Sequence, residues 1–179
     1  MKKNNLSRLT AAALFTALLC VASPFTIPIG VIPVSLATFA VYLASAVLGW
    51  KWGCAAVLCY MVLGICGLPV FSGFGSGLGQ FVSPTGGFLV GYLPCAFLCG
   101  LAAERAKKHR LPIPMLILGM VGGTAVCYGC GLAWYTFLTG QTFAQGIAVC
   151  VLPFLPGDAA KIIGAAFLAD LLRRRGIGR

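Results

Sequence analysis

Pro114-Met115-Leu116-Ile117-Leu118-Gly119-Met120-Val121-Gly122-Gly123-Thr124-Ala125-Val126 holds no charged residue and is apolar or small on every face. A helix at the surface of a soluble domain needs a polar stripe opposite its apolar one, and this run has none. It continues apolar to Leu138, long enough to cross a hydrocarbon core of about 30 Å with some tilt. Val41–Val47 reads the same way. An outer-membrane barrel would require alternating apolar and polar residues. Helices in lipid fit these runs.

The composition agrees. Of 179 residues, 60% are hydrophobic and 9% charged, with a mean hydropathy of +0.99. Soluble domains carry about a quarter charged residues. The length suits a single integral membrane domain, residues 1–179. Six apolar segments follow one another: about Leu9 to Pro24, Val34 to Leu48, Cys54 to Leu68, Thr85 to Ala103, Pro114 to Leu138, and from Gly140 to Leu172. The second stops at Gly49-Trp50-Lys51-Trp52-Gly53. The third is followed by a long uncharged loop, Pro69–Pro84, and the sixth is broken near its start by Pro153 and Pro156.

The charges test this order independently. Lys161 apart, the other twelve Lys and Arg residues fall at Lys2, Lys3 and Arg8, at Lys51, within Arg105–Arg110, and within Arg173–Arg179. Six alternating helices place all four locations on one side, while the loops 24–33, 69–84 and 139–145 are uncharged. That is the positive-inside pattern. The expected fold is therefore all-α, with six transmembrane helices and both termini cytoplasmic. The net charge of +10 then reports orientation in the bilayer, not nucleic-acid binding. A signal-peptide reading of the first segment is disfavoured, because Leu19 precedes Cys20 where a small residue is wanted, and cleavage would destroy the charge parity.

The nine cysteines lie almost wholly inside apolar segments, and the one histidine, His109, sits in a basic loop. Cys127 and Cys130 form a CxxC without a second pair. Convergent ligands for a metal are not visible, so the cysteines read as small packing residues. No metal, no cofactor and no catalytic residue is expected. Small residues four apart, at Ala13/Ala17, Gly49/Gly53, Gly119/Gly123 and Ala165/Ala169, would let helices approach closely.

Asp158 and Lys161 are the opposite charges inside a spanning segment, three residues apart and so on one helical face. An isolated charge there costs about 2.5–3.5 kcal/mol on insertion scales, and intramembrane ionisable groups are usually functional. Helical rise puts Asp158 roughly 22 Å and Lys161 roughly 18 Å from Arg173, in the outer half of the membrane. Asp158 could alternatively cap a helix restarted after Pro156-Gly157. The loop from Gly67 to Gln80 carries glycines 73, 75, 77 and 79, which permit tight turns and close backbone approach to a ligand. Phe71, Phe74 and Phe81 suggest that it packs down over a cavity. It lacks the GxxxxGK[ST] pattern of a nucleotide loop.

Taken together, Gly67-Leu68-Pro69-Val70-Phe71-Ser72-Gly73, Pro84-Thr85-Gly86-Gly87-Phe88 and Pro153-Phe154-Leu155-Pro156-Gly157-Asp158 with Lys161 resemble the BioY family. These are the biotin-specific S components of energy-coupling factor (ECF) importers. Val31-Ile32-Pro33-Val34-Ser35-Leu36 and Leu48-Gly49-x-Lys51-x-Gly53 match as well. Two departures are Ala37, where the family often has Gln, and Gly73-Phe74-Gly75-Ser76-Gly77, where Gly-Gly-x-Gly-Gly is common.

The resemblance implies a six-helix protein of the bacterial plasma membrane, with a biotin cavity near the outer face. Asp158 is expected to accept from the ureido N–H groups and Lys161 to donate to ligand oxygen. Ser35, Ser72 or loop backbone at Gly73 and Gly75 would meet the carboxylate. Phe71, Tyr92 and Trp134 are wall candidates. Energy would come from a transmembrane T component coupled to two ATPase subunits, docked on the Ala13/Ala17 face. A self-sufficient facilitator or secondary carrier for a small carboxylate vitamin is the alternative.

Overall fold

The computed structural model describes residues 3–27, 32–106 and 112–175. Lys2, Val31, His109, Arg110 and Arg179 lie outside the described residues. Eight α-helices make up nearly all of it: α1 (Lys3–Ala22), α2 (Ala37–Leu48), α3 (Trp50–Ile65), α4 (Gly79–Val82), α5 (Gly86–Ala106), α6 (Pro112–Thr139), α7 (Phe143–Cys150) and α8 (Leu155–Arg174). Two-residue strands β1 (Thr26–Ile27) and β2 (Val34–Ser35) pair antiparallel between α1 and α2, with Thr26 opposite Ser35.

Each apolar segment is helical, and the differences lie at the breaks. Only Gly49, at φ +85°, separates α2 from α3, so Trp50–Gly53 is the first turn of a helix rather than a connection. The 69–84 loop is itself folded, with a 3-10 turn at Ser72–Phe74, the short α4, and a bridge between Phe71 and Gly75. By length and apolarity Gly86–Ala106 and Ile113–Thr139 each suffice to cross a membrane. Phe143–Cys150 with Leu155–Arg174 makes a third span if that pair, bent by 53°, counts as one. Leu6–Ala22, Ala37–Leu48 and Trp50–Ile65 are shorter apolar helices.

Helix α2 is the hub. All of its residues except Thr38 and Phe39 are buried, which explains why its sequence has no polar face. It packs against α1, α3, α5 and α8. Ala165 and Ala169 of α8 are fully buried. α5 and α6 form the most extensive pair, and the small residues permit it: a Cβ on Gly123 would stand 3.0 Å from the sulfurs of Cys95 and Cys99. The cysteines there act as packing groups, and all nine are free thiols. No group of His, Cys, Asp or Glu among the described residues could hold a metal ion.

Helix α1 has two faces. Ala12, Phe15, Thr16 and Leu19 are buried, and Thr16 donates to the carbonyls of Ala12 and Ala56 at 2.9 and 3.3 Å. A second polar tie joins Ser23 to the Tyr60 hydroxyl at 2.6 Å. Ala13, Leu14, Ala17 and Val21 point away from the bundle and are exposed.

Candidate ligand-binding site

A break at residues 151–154 ends α7 and lets α8 restart at Leu155, with Pro156 in the first turn, where its missing N–H costs nothing. Asp158 therefore lies within the first turn and a half, favoured by the positive end of the helix. Its side chain caps nothing: the N-cap residue is Phe154, and no side-chain cap bond is made. The carboxylate, 4% exposed, is used elsewhere. Oδ2 accepts from the Tyr128 hydroxyl at 2.5 Å, and Oδ1 accepts from Lys161 at 2.9 Å and from Thr38 at 3.4 Å.

Lys161 Nζ also donates to the Ser35 carbonyl at 2.7 Å and to Thr38 Oγ1 at 3.3 Å. An ammonium has three protons, and here three protein acceptors take them. The network thus ties α8 to α6 through Tyr128, to α2 through Thr38, and to β2 through Ser35. Lys161 can donate to a ligand only by releasing one of these partners, which narrows the role expected from sequence. Ser35 is engaged too, its hydroxyl accepting the Ala37 N–H at 2.8 Å at the start of α2.

These side chains form one wall of a partly open cavity of about 50 Å³. Sites for drug-sized ligands measure about 300–1,000 Å³, so a ligand of that size enters only if the lining moves outward. Aromatic rings of Tyr42, Phe71, Phe88, Tyr92 and Phe154 make the other walls, and Ser72, Gln80 and Thr85 bring polar groups from the folded loop. Tyr42 and Thr124 stand 2.6 Å apart, and because Thr124 donates to the Met120 carbonyl, Tyr42 is the donor between them.

Phe71 is a fixed wall. It is 1% exposed and meets Tyr60 and Phe81 edge to face at 5.5 and 5.8 Å. Gly64 makes the socket, since a Cβ there would lie 2.1 Å from the ring. The loop is pinned further by Gly77 N–H to the Gly64 carbonyl at 2.8 Å and by Gly73 N–H to the Pro24 carbonyl at 3.2 Å. Phe74 meets Phe25 on the outside.

Of the residues singled out from sequence, Ser35, Phe71, Ser72, Tyr92, Asp158 and Lys161 line the cavity. Gly73, Gly75 and Trp134 do not. The Gly73 N–H is committed to Pro24, and Gly75 faces back onto Phe71 and Ser72 through its carbonyl and N–H. Trp134 sits behind the wall, its indole N–H donating to the Ser83 carbonyl at 3.1 Å and its Cβ packed on Gly87. Aromatic type does not give helical phase. From α6, Thr124, Cys127 and Tyr128 line the cavity, the two hydroxyl residues four apart, and Thr38 and Tyr42 repeat that spacing on α2. Hydroxyls at i and i+4 inside apolar runs were the signal that could have found them.

Residues 1–177 match the BioY family. The biotin transporter BioY of Thermotoga maritima is 36% identical over 172 residues, covering 96% of this chain and 99% of that protein. The biotin transporter BioY of Rhodobacter capsulatus is 37% identical, covering 89% of this chain and 90% of that one. A crystal structure of the S component for biotin from an ECF-type ABC transporter superposes with a TM-score of 0.90 at 26% identity, over 100% of this chain and 99% of the other. This fold, these motifs and these relatives lead to one conclusion: the chain belongs to the BioY family.

Proposed function

We propose that this chain captures biotin from outside the cell and delivers it inward as the S component of an ATP-driven ECF transporter. The observation that carries the reading is the buried, mutually neutralised Asp158–Lys161 pair, 2.9 Å apart, in the wall of a cavity, in a family whose relatives are biotin transporters. The ureido group of biotin presents two N–H donors, and the Asp158 carboxylate, with three of its roughly four acceptor sites in use, can accept one of them. The thioether ring suits Phe71, Phe88 and Phe154.

In this reading the six apolar segments are six spans. The basic clusters put both termini in the cytoplasm of a bacterial plasma membrane. The chain carries no nucleotide-binding motif; in this reading two ATPase subunits hydrolyse ATP and a transmembrane T component couples them to this chain. The exposed Ala13 and Ala17, two small residues on the outer face of α1, offer the T component a close helix approach.

Calorimetric titration of biotin into the purified chain in detergent tests the capture step. Tight one-to-one binding without partners or ATP is expected, and no binding by folded protein would refute the assignment. Replacing Asp158 by Asn should weaken binding at least tenfold; unchanged affinity would remove Asp158 from the site. Ala13→Trp should abolish ATP-linked uptake and spare binding. Uptake by vesicles holding this chain alone would instead favour a self-sufficient carrier.

A further inference from the structure

The charge inventory of the cavity constrains what its ligand may carry. Between Arg8 and Lys51, between Lys51 and Glu104, and between Arg110 and Asp158 the sequence contains no charged residue. Asp158 and Lys161 are therefore the charges available to the cavity, whichever loop closes over it. They cancel.

A ligand carboxylate adds one negative charge to a site whose net charge is zero. Lys161 cannot answer it freely, because its three protons are held by Ser35, Thr38 and Asp158. Turning the Asp158 proton toward the ligand strips a buried carboxylate of its counter-ion, which is strongly unfavourable, and turning either of the others gives up the bond to Ser35 or Thr38. The other polar groups are neutral. Ser72, Gln80 and Tyr92 line the cavity and make no side-chain hydrogen bond among the described residues. The Tyr92 side chain is in a residue only 6% exposed.

Hydroxyl and carboxamide groups are ambivalent: each can donate to a carboxylate oxygen or accept from an amide NH₂. A lysine or arginine could only donate. Sites discriminate strongly when a mismatched ligand leaves a buried polar group unpaired, and ambivalent groups avoid that outcome with either ligand.

We propose that this site reads the carboxyl end of its ligand through neutral groups alone, and so takes the uncharged primary amide of biotin as readily as the acid. The proposal rests on the biotin reading above and deepens it by widening the ligand class to neutral carboxyl derivatives of acid size. The amide is the informative probe because it removes the charge and leaves the shape unchanged. The contracted cavity makes larger conjugates poor probes.

The experiment is parallel calorimetric titration of biotin and biotinamide into the purified full chain in detergent, repeated with Gln80→Glu. Affinities within tenfold of each other are expected for the natural sequence. Gln80→Glu places an anion among the neutral groups and should shift the ratio at least tenfold toward the amide. An amide more than tenfold weaker than biotin would overturn the proposal while leaving biotin capture intact, as would a Gln80→Glu chain that loses both ligands equally. Failure of biotin itself to bind would instead refute the functional reading, and this inference with it.

Discussion

Helix α8 carries an acid–base pair at each end, and the two could hardly differ more. Asp158 and Lys161 lie 2.9 Å apart with side chains 5% and 12% exposed. Asp170 and Arg174 lie 2.8 Å apart, but the Arg174 side chain is 71% exposed. Separation is the same; surroundings are not. Near water, the attraction is offset by screening and side-chain entropy. In the interior, each charge has lost its hydration, and the partner with its hydrogen bonds is what keeps it there. The difference teaches that the inner-wall pair is a liability maintained for a purpose, whereas the pair near the helix end is an ordinary feature of a charged terminus.

The sharpest way to break the comparison is to orphan one charge at each end. Lys161→Met leaves Asp158 buried with only hydroxyl partners, a change that typically costs about 3–5 kcal/mol. Chemical denaturation in detergent should show a loss of that order, together with loss of biotin binding. Combining it with Asp158→Asn removes the orphan, and most of the stability should return while binding does not. A double variant as unstable as the single one would mean that the packing of Lys161, not its charge, holds the site.

Tyr128→Phe should have a smaller effect. It removes the hydroxyl donating to Asp158 Oδ2 at 2.5 Å but leaves the ion pair, so the carboxylate keeps its charge and loses one restraint. Hydrogen bonds to charged groups contribute about 1.5–3 kcal/mol, so biotin affinity should fall roughly 10- to 100-fold. Because the bond also joins α6 to α8, a drop in melting temperature should accompany it. Unchanged affinity would show that Tyr128 only seals the wall.

How much of this was legible beforehand depends on what kind of signal each residue gives. Apolar runs and charge gaps are long-range patterns, and they located the long helices, whereas α4 lies in what reads as a loop. Asp158 and Lys161 stood out because a charge inside an apolar run is costly and therefore rarely accidental. Thr38, Thr124 and Tyr128 did not stand out, since hydroxyl-bearing residues are cheap in helices, where they can bond their own backbone, as Thr124 does with Met120. Trp134 misled for the converse reason. Its size suggested a wall, but its position on α6 is fixed by a helical phase that only packing against Gly87 reveals. Loop residues were the least legible. The glycines of 73–79 suggested a backbone cradle, yet the positive φ of Gly73 and Gly77 serves turns that press Phe71 into its socket.

The mildest substitution sharpens the comparison from its other side. Asp170→Asn leaves Arg174 facing water and takes away an exposed i,i+4 pair, an arrangement with a typical value of about 0.3–0.5 kcal/mol. Denaturation midpoint and biotin affinity should both stay within error of the natural sequence. Arg173 is the neighbour to watch, because it donates to the Ala103 carbonyl and fastens the end of α8 to α5. If Asp170→Asn destabilised the protein by more than about 1 kcal/mol, beyond the range of exposed pairs, the effect would have to pass through Arg173. The C-terminal end of α8 would then be a second structural anchor rather than a solvated terminus, and the contrast between its two ion pairs would be one of degree.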